Sequence, residues 1–267
     1  HICASKPSQT SIFQLMDAIL KTENLGVGYG RRTILHNINL EVAPGSLTAL
    51  IGANGSGKST LLRTLSGAQA PTAGTVSIGG TALCGLGKQK LAKRLAMVFT
   101  DRTGAGALTV RETVEIGRHP YTGPFGRLSS NDKEAVAEAL ASVGMETYAD
   151  RLLGTLSDGE RQKVMLARAL AQNTPLIIRD EPTAFLDVAG RLEINRLLRQ
   201  LADKGRSIIL STHDIASSVD AADTLWIVDC ENRHVHSAAK HTAIQSGLLD
   251  RAFPPLRFDA STLSFKQ

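Results

Sequence analysis

Residues Gly52-Ala53-Asn54-Gly55-Ser56-Gly57-Lys58-Ser59-Thr60 constrain this chain more than any other stretch, because they fit the phosphate-loop pattern G-x-x-x-x-G-K-[ST] in the context it needs. Leu47 to Ile51 reads as a short buried strand, and Thr60 to Leu65 opens a helix. Gly52, Gly55 and Gly57 let the backbone curl until successive N–H groups point inward, an anion nest backed by the positive end of the helix dipole. With Asn54, Ser56 and Thr60 completing the loop, that geometry holds a polyphosphate. Lys58 reaches the β- and γ-phosphates as a mobile charge, and the Ser59 hydroxyl ligates a bridging Mg²⁺. From average residue usage the bare pattern arises by chance in roughly 1% of chains of this size.

The rest of the chain is compatible with a soluble nucleotide-binding protein. Its 267 residues can bury a full core, and 42% hydrophobic with 21% charged residues is ordinary for a globular fold. No uninterrupted apolar run approaches the ~18 residues of a membrane span. The net charge of +5 is spread without a Lys/Arg block and gives little support for nucleic acid, so no nucleic-acid partner is expected. Cys3, Cys84 and Cys230 are odd in number and far apart, which fits a reducing cytoplasm. Residues 1–17 lack the charged start and apolar centre of a secretory signal and are set aside as an N-terminal extension or remnant.

Strands are expected at Ile19–Thr22, Leu35–Val42, Leu47–Ile51 and Thr75–Ile78, separated by glycine-rich turns. From about Thr109 the apolar period changes. Val110, Val114 and Ile116 predict a short helix; Ala135, Val136, Ala139, Leu140 and Val143 predict a longer one, capped by Ser129 with Asp132 and ended by Gly144. The α/β pattern then returns with strands Leu176–Ile178 and Ser207–Leu210 around an amphipathic helix Arg191–Lys204. The stretch from Glu231 onward has no sharp pattern.

Ile178-Arg179-Asp180-Glu181 places two carboxylates at the end of an apolar strand, where ligand sites of open α/β sheets lie. Asp180 is the expected Mg²⁺-side oxygen ligand and Glu181 the general base for an attacking water. Leu156-Ser157-Asp158-Gly159-Glu160-Arg161-Gln162 opens another helix. A capping box of Ser157 with Glu160 explains it locally. Ser157 and Gly159 also form a second helix N-terminus suited to anions, best explained if it serves the nucleotide of another subunit in a two-fold dimer.

These residues resemble the ATP-binding-cassette ATPase family from about Ile19 to His236. Gly52–Thr60 matches its Walker A motif, Leu176–Glu181 its Walker B motif, and Leu156–Gln162 its signature, usually L-S-G-G-Q. The resemblance implies an α/β fold: a P-loop NTPase, RecA-like core with an antiparallel β subdomain and an inserted α-helical subdomain. It implies one ATPase domain over 18–240, with the helical insert at about 101–156, and a tail over 241–267. Phe185-Leu186-Asp187 is similar to the family's dimer-contact loop, His213 stands where a histidine senses the γ-phosphate, and Tyr29 matches the aromatic that stacks on adenine. ATP and Mg²⁺ are the implied cofactors, with hydrolysis catalysed through Lys58, Glu181 and His213.

Three departures stand out. Thr100-Asp101 replaces a glutamine that touches Mg²⁺ or its water, so Thr100 or Asp101 is expected to take that metal-linked role. Asp158 and Glu160 put negative charge beside a phosphate site, partly offset by the helix dipole. Arg179, in a strand expected to be apolar, calls for a carboxylate partner, because an unpaired buried guanidinium is costly.

Val110 to Gly123 is similar to the insert of importers for ferric chelates, heme and cobalamin. That similarity implies a peripheral ATPase subunit at the cytoplasmic face of the inner membrane, a homodimer through ATP that drives transmembrane permease subunits and, indirectly, serves a substrate-binding protein. The alternative is a soluble, non-transport cassette acting in DNA repair or on ribosomes, which the lack of a coiled-coil insertion or second cassette disfavours. His234, His236 and His241 read as surface imidazoles, and no N-K-x-D sequence supports a GTPase.

Overall fold

The computed structural model describes residues 18–30, 32–98, 107–123, 125–180, 186–212, 215–253 and 256–266. In chain order these form β1 (Leu20–Tyr29), β2 (Arg32–Ile38), β3 (Glu41–Val42), β4 (Leu47–Ile51), α1 (Lys58–Leu65), β5 (Ala73–Ile78), β6 (Thr81–Ala82), α2 (Lys88–Ala92) and β7 (Leu95–Val98). The insert carries α3 (Val110–Glu115) and α4 (Ser130–Ser142). There follow α5 (Asp158–Ala171), β8 (Leu176–Arg179), α6 (Val188–Asp203), β9 (Ser207–Ser211), α7 (Ile215–Ala221), β10 (Thr224–Asp229), β11 (His234–Ala239), α8 (Lys240–Gln245), β12 (Arg257–Asp259) and β13 (Ser264–Lys266).

The main sheet runs β11-β10-β4-β9-β8-β7, parallel except for β11 at its edge. Its central strands are buried on both faces, which is why they read as continuous apolar runs rather than alternating ones. Strand geometry still sorts the side chains. Leu47, Ala49 and Ile51 of β4 join α5, α6 and the insert in one core, while Leu50 between them joins a second core with α1 and the antiparallel sheet. That second sheet has the order β2-β1-β5-β6 with β3 on β1. Leu61, Leu62 and Leu65 place α1 between the two sheets, so the loop before it emerges at the carboxyl edge of β4.

The α/β architecture with an antiparallel sheet and a helical insert is the one expected. Boundaries differ where local geometry intervenes. β1 runs on to Tyr29 through irregular pairing, with Asn24 at φ 48°. The single strand expected over Leu35–Val42 is two, β2 and β3, which pair with different parts of β1. α6 begins at Val188, earlier than the apolar pattern suggests, because Asp187 caps it by accepting from the Gly190 N–H at 2.7 Å. The short and long insert helices both form, and Thr109 with Glu112 and Ser129 with Asp132 close capping boxes. Gly144 follows at φ 67°.

The patternless segment after Glu231 is structured. Ala243 of α8, with Leu249 and Ala252 of the following 3₁₀ turn, is fully buried in the first core. The turn enters through Gly247 at φ 68°, so its few apolar residues carry no helical or strand period for sequence inspection to find. No helix among the described residues is long and apolar enough to cross a membrane.

Candidate nucleotide site

β4 and β8 end on the same edge of the main sheet with β9 between them, so the phosphate loop and Asp180 are brought together by strand order alone. Ser211, the last residue of β9, makes the link: its hydroxyl donates to Asp180 Oδ1 at 2.5 Å, and both are buried. Sequence reasoning did not single out Ser211. Its signal was only its place at a strand end before Thr212.

Within the loop, Gly55 at φ 76° and Gly57 at φ 103° take left-handed conformations, and Gly57 caps α1 without a side chain. A Cβ on Gly52 would lie 2.9 Å from Ser56 Oγ and from Val228 Cβ, and one on Gly57 would lie 3.1 Å from Ile34 Cγ2. The loop is therefore clamped from outside while its concave side stays lined by backbone. Lys58, 5% exposed, donates to the carbonyls of Gly52 at 2.7 Å and Ala53 at 3.0 Å, folding its ammonium over the loop. Ser59 and Thr60 sit in the first turn of α1, and Asn54 is in the turn before it.

The donor set fits a nucleoside polyphosphate with its metal. Ser56 Oγ is buried without a hydrogen-bond partner among the described residues, packed on the Gly52 side of the loop, so the loop offers a ligand its backbone N–H groups and Lys58 rather than this hydroxyl. Ser59 and Asp180 supply hydroxyl and carboxylate oxygens, the hard ligands Mg²⁺ takes. Tyr29, at the end of β1 and 55% exposed, bonds through its hydroxyl to Thr60 Oγ1 at 3.0 Å, which leaves its ring at the rim of the same loop.

Ser157 caps α5 and is exposed. Its backbone N–H and its hydroxyl both donate to Glu160 Oε2 at 2.8 Å. Those bonds, the backbone one foremost, hold the Glu160 carboxyl below its usual range. Asp158 lies 3.6 Å from Arg161. The two acids that depart from the usual signature are therefore engaged locally. Gly159 lies beside Leu186, whose Cδ2 an added Cβ would meet at 3.9 Å, and Asp187 is exposed as the cap of α6. Glu181, His213, Thr100 and Asp101 lie outside the described residues.

Arg179 corrects an expectation. It is 1% exposed, yet among the described residues its partner is a carboxamide and not a carboxylate: Nη2 donates to Gln162 of α5 at 2.7 Å, and Nε and Nη1 have no acceptor there. Burial pushes its pKa down to about 10. The side chain alternates with Asp180, so it faces α5 while Asp180 faces Ser211.

Comparison with known proteins agrees with this geometry. The profile of the ABC transporter family matches residues 35–184. An iron(3+)-hydroxamate import ATP-binding protein of Bacillus subtilis is 43% identical over 197 residues, 73% of this chain and 73% of that protein. A ferric enterobactin transport ATP-binding protein of Escherichia coli is 35% identical over 237 residues, covering 88% of this chain and 87% of that one. Among solved structures, a chain of a metal-chelate-type ABC transporter in an inward-facing conformation superposes with a TM-score of 0.78 at 26% identity, covering 94% of this chain and 96% of its own. With a glycine phosphate loop after β4, Asp180 at the end of β8 and a helix capped by Ser157, the chain belongs to the ABC transporter family and is one of its ATP-binding, ATP-hydrolysing cassettes.

Proposed function

We propose that this cassette is the ATPase subunit of an importer for a ferric siderophore, heme or cobalamin. The observation that carries the reading is similarity along most of the chain to an iron(3+)-hydroxamate import and a ferric enterobactin transport ATP-binding protein, joined to a glycine loop with Lys58 folded over it that suits a polyphosphate. A soluble repair or ribosomal cassette is not favoured by these relatives.

In this reading the phosphate loop, Gly52 to Thr60, binds and orients ATP, and Lys58 leaves the Gly52 and Ala53 carbonyls for the β- and γ-phosphates. Tyr29 stacks on adenine. Mg²⁺ would be held by Ser59 and Asp180, with Thr100 or Asp101 in the metal-linked role, and would supply charge neutralisation at the phosphates. Glu181 takes a proton from water as its oxygen attacks the γ-phosphorus; the bond to the bridging oxygen breaks and ADP leaves with that electron pair. His213 stabilises the γ-phosphoryl charge. Ser157 and Gly159 of a second copy cover the γ-phosphate across a two-fold axis, and Asp187 lies at that contact. Closing and reopening of two copies drives permease subunits at the cytoplasmic face of the inner membrane, to which a substrate-binding protein delivers cargo.

Glu181→Gln should trap the closed pair. With saturating Mg–ATP the variant is expected to elute at twice the wild-type mass in size-exclusion chromatography. Elution as monomer refutes the two-copy scheme. Affinity purification of the chain from gently solubilised membranes is expected to recover a multi-spanning protein, and recovery only with ribosomes or repair proteins refutes transport.

A further inference from the structure

α5 has two working ends. Ser157 caps its N-terminus, and its 14 residues set the C-terminus about 21 Å away. A helix C-terminus leaves carbonyls without intrahelical donors. Here the insert supplies them: Arg118 Nη1 donates to the Ala171 carbonyl at 2.6 Å and the Tyr121 hydroxyl to the Gln172 carbonyl at 3.0 Å. Arg118 is itself held. It is 7% exposed, its Nε and Nη2 each lie 2.8 Å from Asp132 Oδ1 of α4, and its guanidinium lies 4.0 Å from the centre of the Tyr121 ring. Gly117 lets this grip come close, since a Cβ there would meet the Arg168 carbonyl oxygen at 2.2 Å.

On the other side of the same point stands the sheet. Gln172, half-buried at the C-cap, donates through Nε2 to the carbonyls of Ala92 at 2.6 Å and Leu95 at 2.9 Å, the residues that bracket the turn from α2 into β7. One carboxamide thus ties the gripped end of α5 to the nucleotide core. The lever is unforgiving: a tilt of about 3° at this end moves the other by about 1 Å over that length. A displacement of about 1 Å can cost about 100-fold in rate when it misplaces a reacting geometry.

We propose that Gln172 is a positioning residue for ATP hydrolysis. By fixing the C-terminal end of α5 to the entry of β7, it sets where Ser157 stands relative to the γ-phosphate of the facing copy's nucleotide. The inference rests on the reading that Ser157 serves that second copy, and it concerns an end of the helix that touches no nucleotide.

The test uses the whole chain with Mg–ATP and two substitutions of similar volume. Gln172→Met removes the donors; Gln172→Lys restores donors to the same two carbonyls. Binding of a fluorescent ATP analogue reads the chain's own phosphate loop, and steady-state turnover reads the assembled site. Gln172→Met is expected to keep affinity within about twofold while kcat falls about tenfold or more, and Gln172→Lys to recover at least about half of the lost kcat. The proposal is overturned if Gln172→Met keeps kcat within about twofold, if affinity and kcat fall together, or if Gln172→Lys is no better than Gln172→Met. Ser157→Ala run beside them separates the two levels. If Ser157→Ala leaves turnover intact, the reading beneath the proposal fails and the proposal with it; if only the Gln172 variants are silent, the positioning role alone fails.

Discussion

Replacing Arg179 with methionine should make this protein more stable. The guanidinium is 1% exposed and shares its face of β8 with Ile177, against Val98 of β7 and Met165 of α5. Burial pushes its pKa down to about 10, well below that of a free guanidinium. At ~1.36 kcal/mol per pKa unit, that gap makes the charged form roughly 3 kcal/mol less favourable in the fold than in water. The sign is that of a base whose folded value is depressed: the penalty is complete at every pH below about 10 and eases only above it, so neutral solutions carry all of it. Against this stands one bond to Gln162, worth roughly 1.5–3 kcal/mol for a charged donor, while Nε and Nη1 have no acceptor among the described residues and so offset none of the burial cost. Methionine fills similar volume and removes the charge, while the half-buried Gln162 amide can turn to water. The expected net gain is about 0.5–2 kcal/mol, in the direction seen when buried ionic groups are replaced by apolar ones. For a fold of this size that raises Tm by about 1–8 °C. Differential scanning calorimetry of nucleotide-free wild type and Arg179→Met reads it directly. A Tm that falls refutes the reasoning, since the guanidinium must then be satisfied by more than Gln162.

Three further expectations follow from single contacts. Ser211→Ala removes the donor that orients Asp180 and should raise the Mg²⁺ concentration for half-maximal turnover about tenfold, with nucleotide affinity unchanged; a titration with unaltered midpoint contradicts it. Gly117→Ala puts a Cβ against the Arg168 carbonyl, which cannot swing away as a side-chain tip can, and should destabilise by about 1–3 kcal/mol in urea unfolding. Asp229 is buried, which by itself raises its pKa, but bonds from Asn232, Arg251 and His236 win and hold it well below the usual carboxylate range. A depressed acid stabilises above its unfolded value of about 3.9 and loses that contribution as pH falls through the folded value. Wild type should therefore hold its Tm from pH 7 to 5 as far as this group is concerned and lose it in stronger acid, whereas Asp229→Asn should start lower at pH 7 and fall less.

What was legible in the sequence was local. Glycine spacing locates the loop before α1, three-residue spacing locates the caps at Ser129 and Ser157, and an apolar run locates β8 with Asp180 at its end, because in each case the physics acts within one turn or one strand. The groups that sequence inspection missed answer to partners far along the chain: Ser211 to Asp180, Arg118 to Ala171, Gln172 to Ala92 and Leu95. No window of residues contains both halves of those contacts. The segment after Glu231 was missed for the opposite reason. Its buried Ala243, Leu249 and Ala252 are few and sit on a six-residue helix and a 3₁₀ turn, so the burial is real while the period is absent.

Arg179 shows how a correct premise leads to a wrong partner. A buried guanidinium does need compensation, and a carboxylate is its strongest mate; but the residue facing it across the gap from β8 is fixed by the pitch of α5, and at that position stands Gln162, one turn past the Ser157 cap. The acids nearest Gln162 on α5, Asp158 and Glu160, are already engaged by Arg161 and by the Ser157 backbone and hydroxyl. The same capping box that keeps Glu160 away from Arg179 also holds the Ser157 hydroxyl in a bond to a carboxylate. For that hydroxyl to reach a γ-phosphate, it must exchange one anionic acceptor for another. In the proposed two-copy scheme the exchange would conserve the number of charge-assisted hydrogen bonds made by Ser157 Oγ, so closure would depend on where α5 stands rather than on new bonding at its cap, which is the leverage proposed for the fastening at Gln172 at the opposite end.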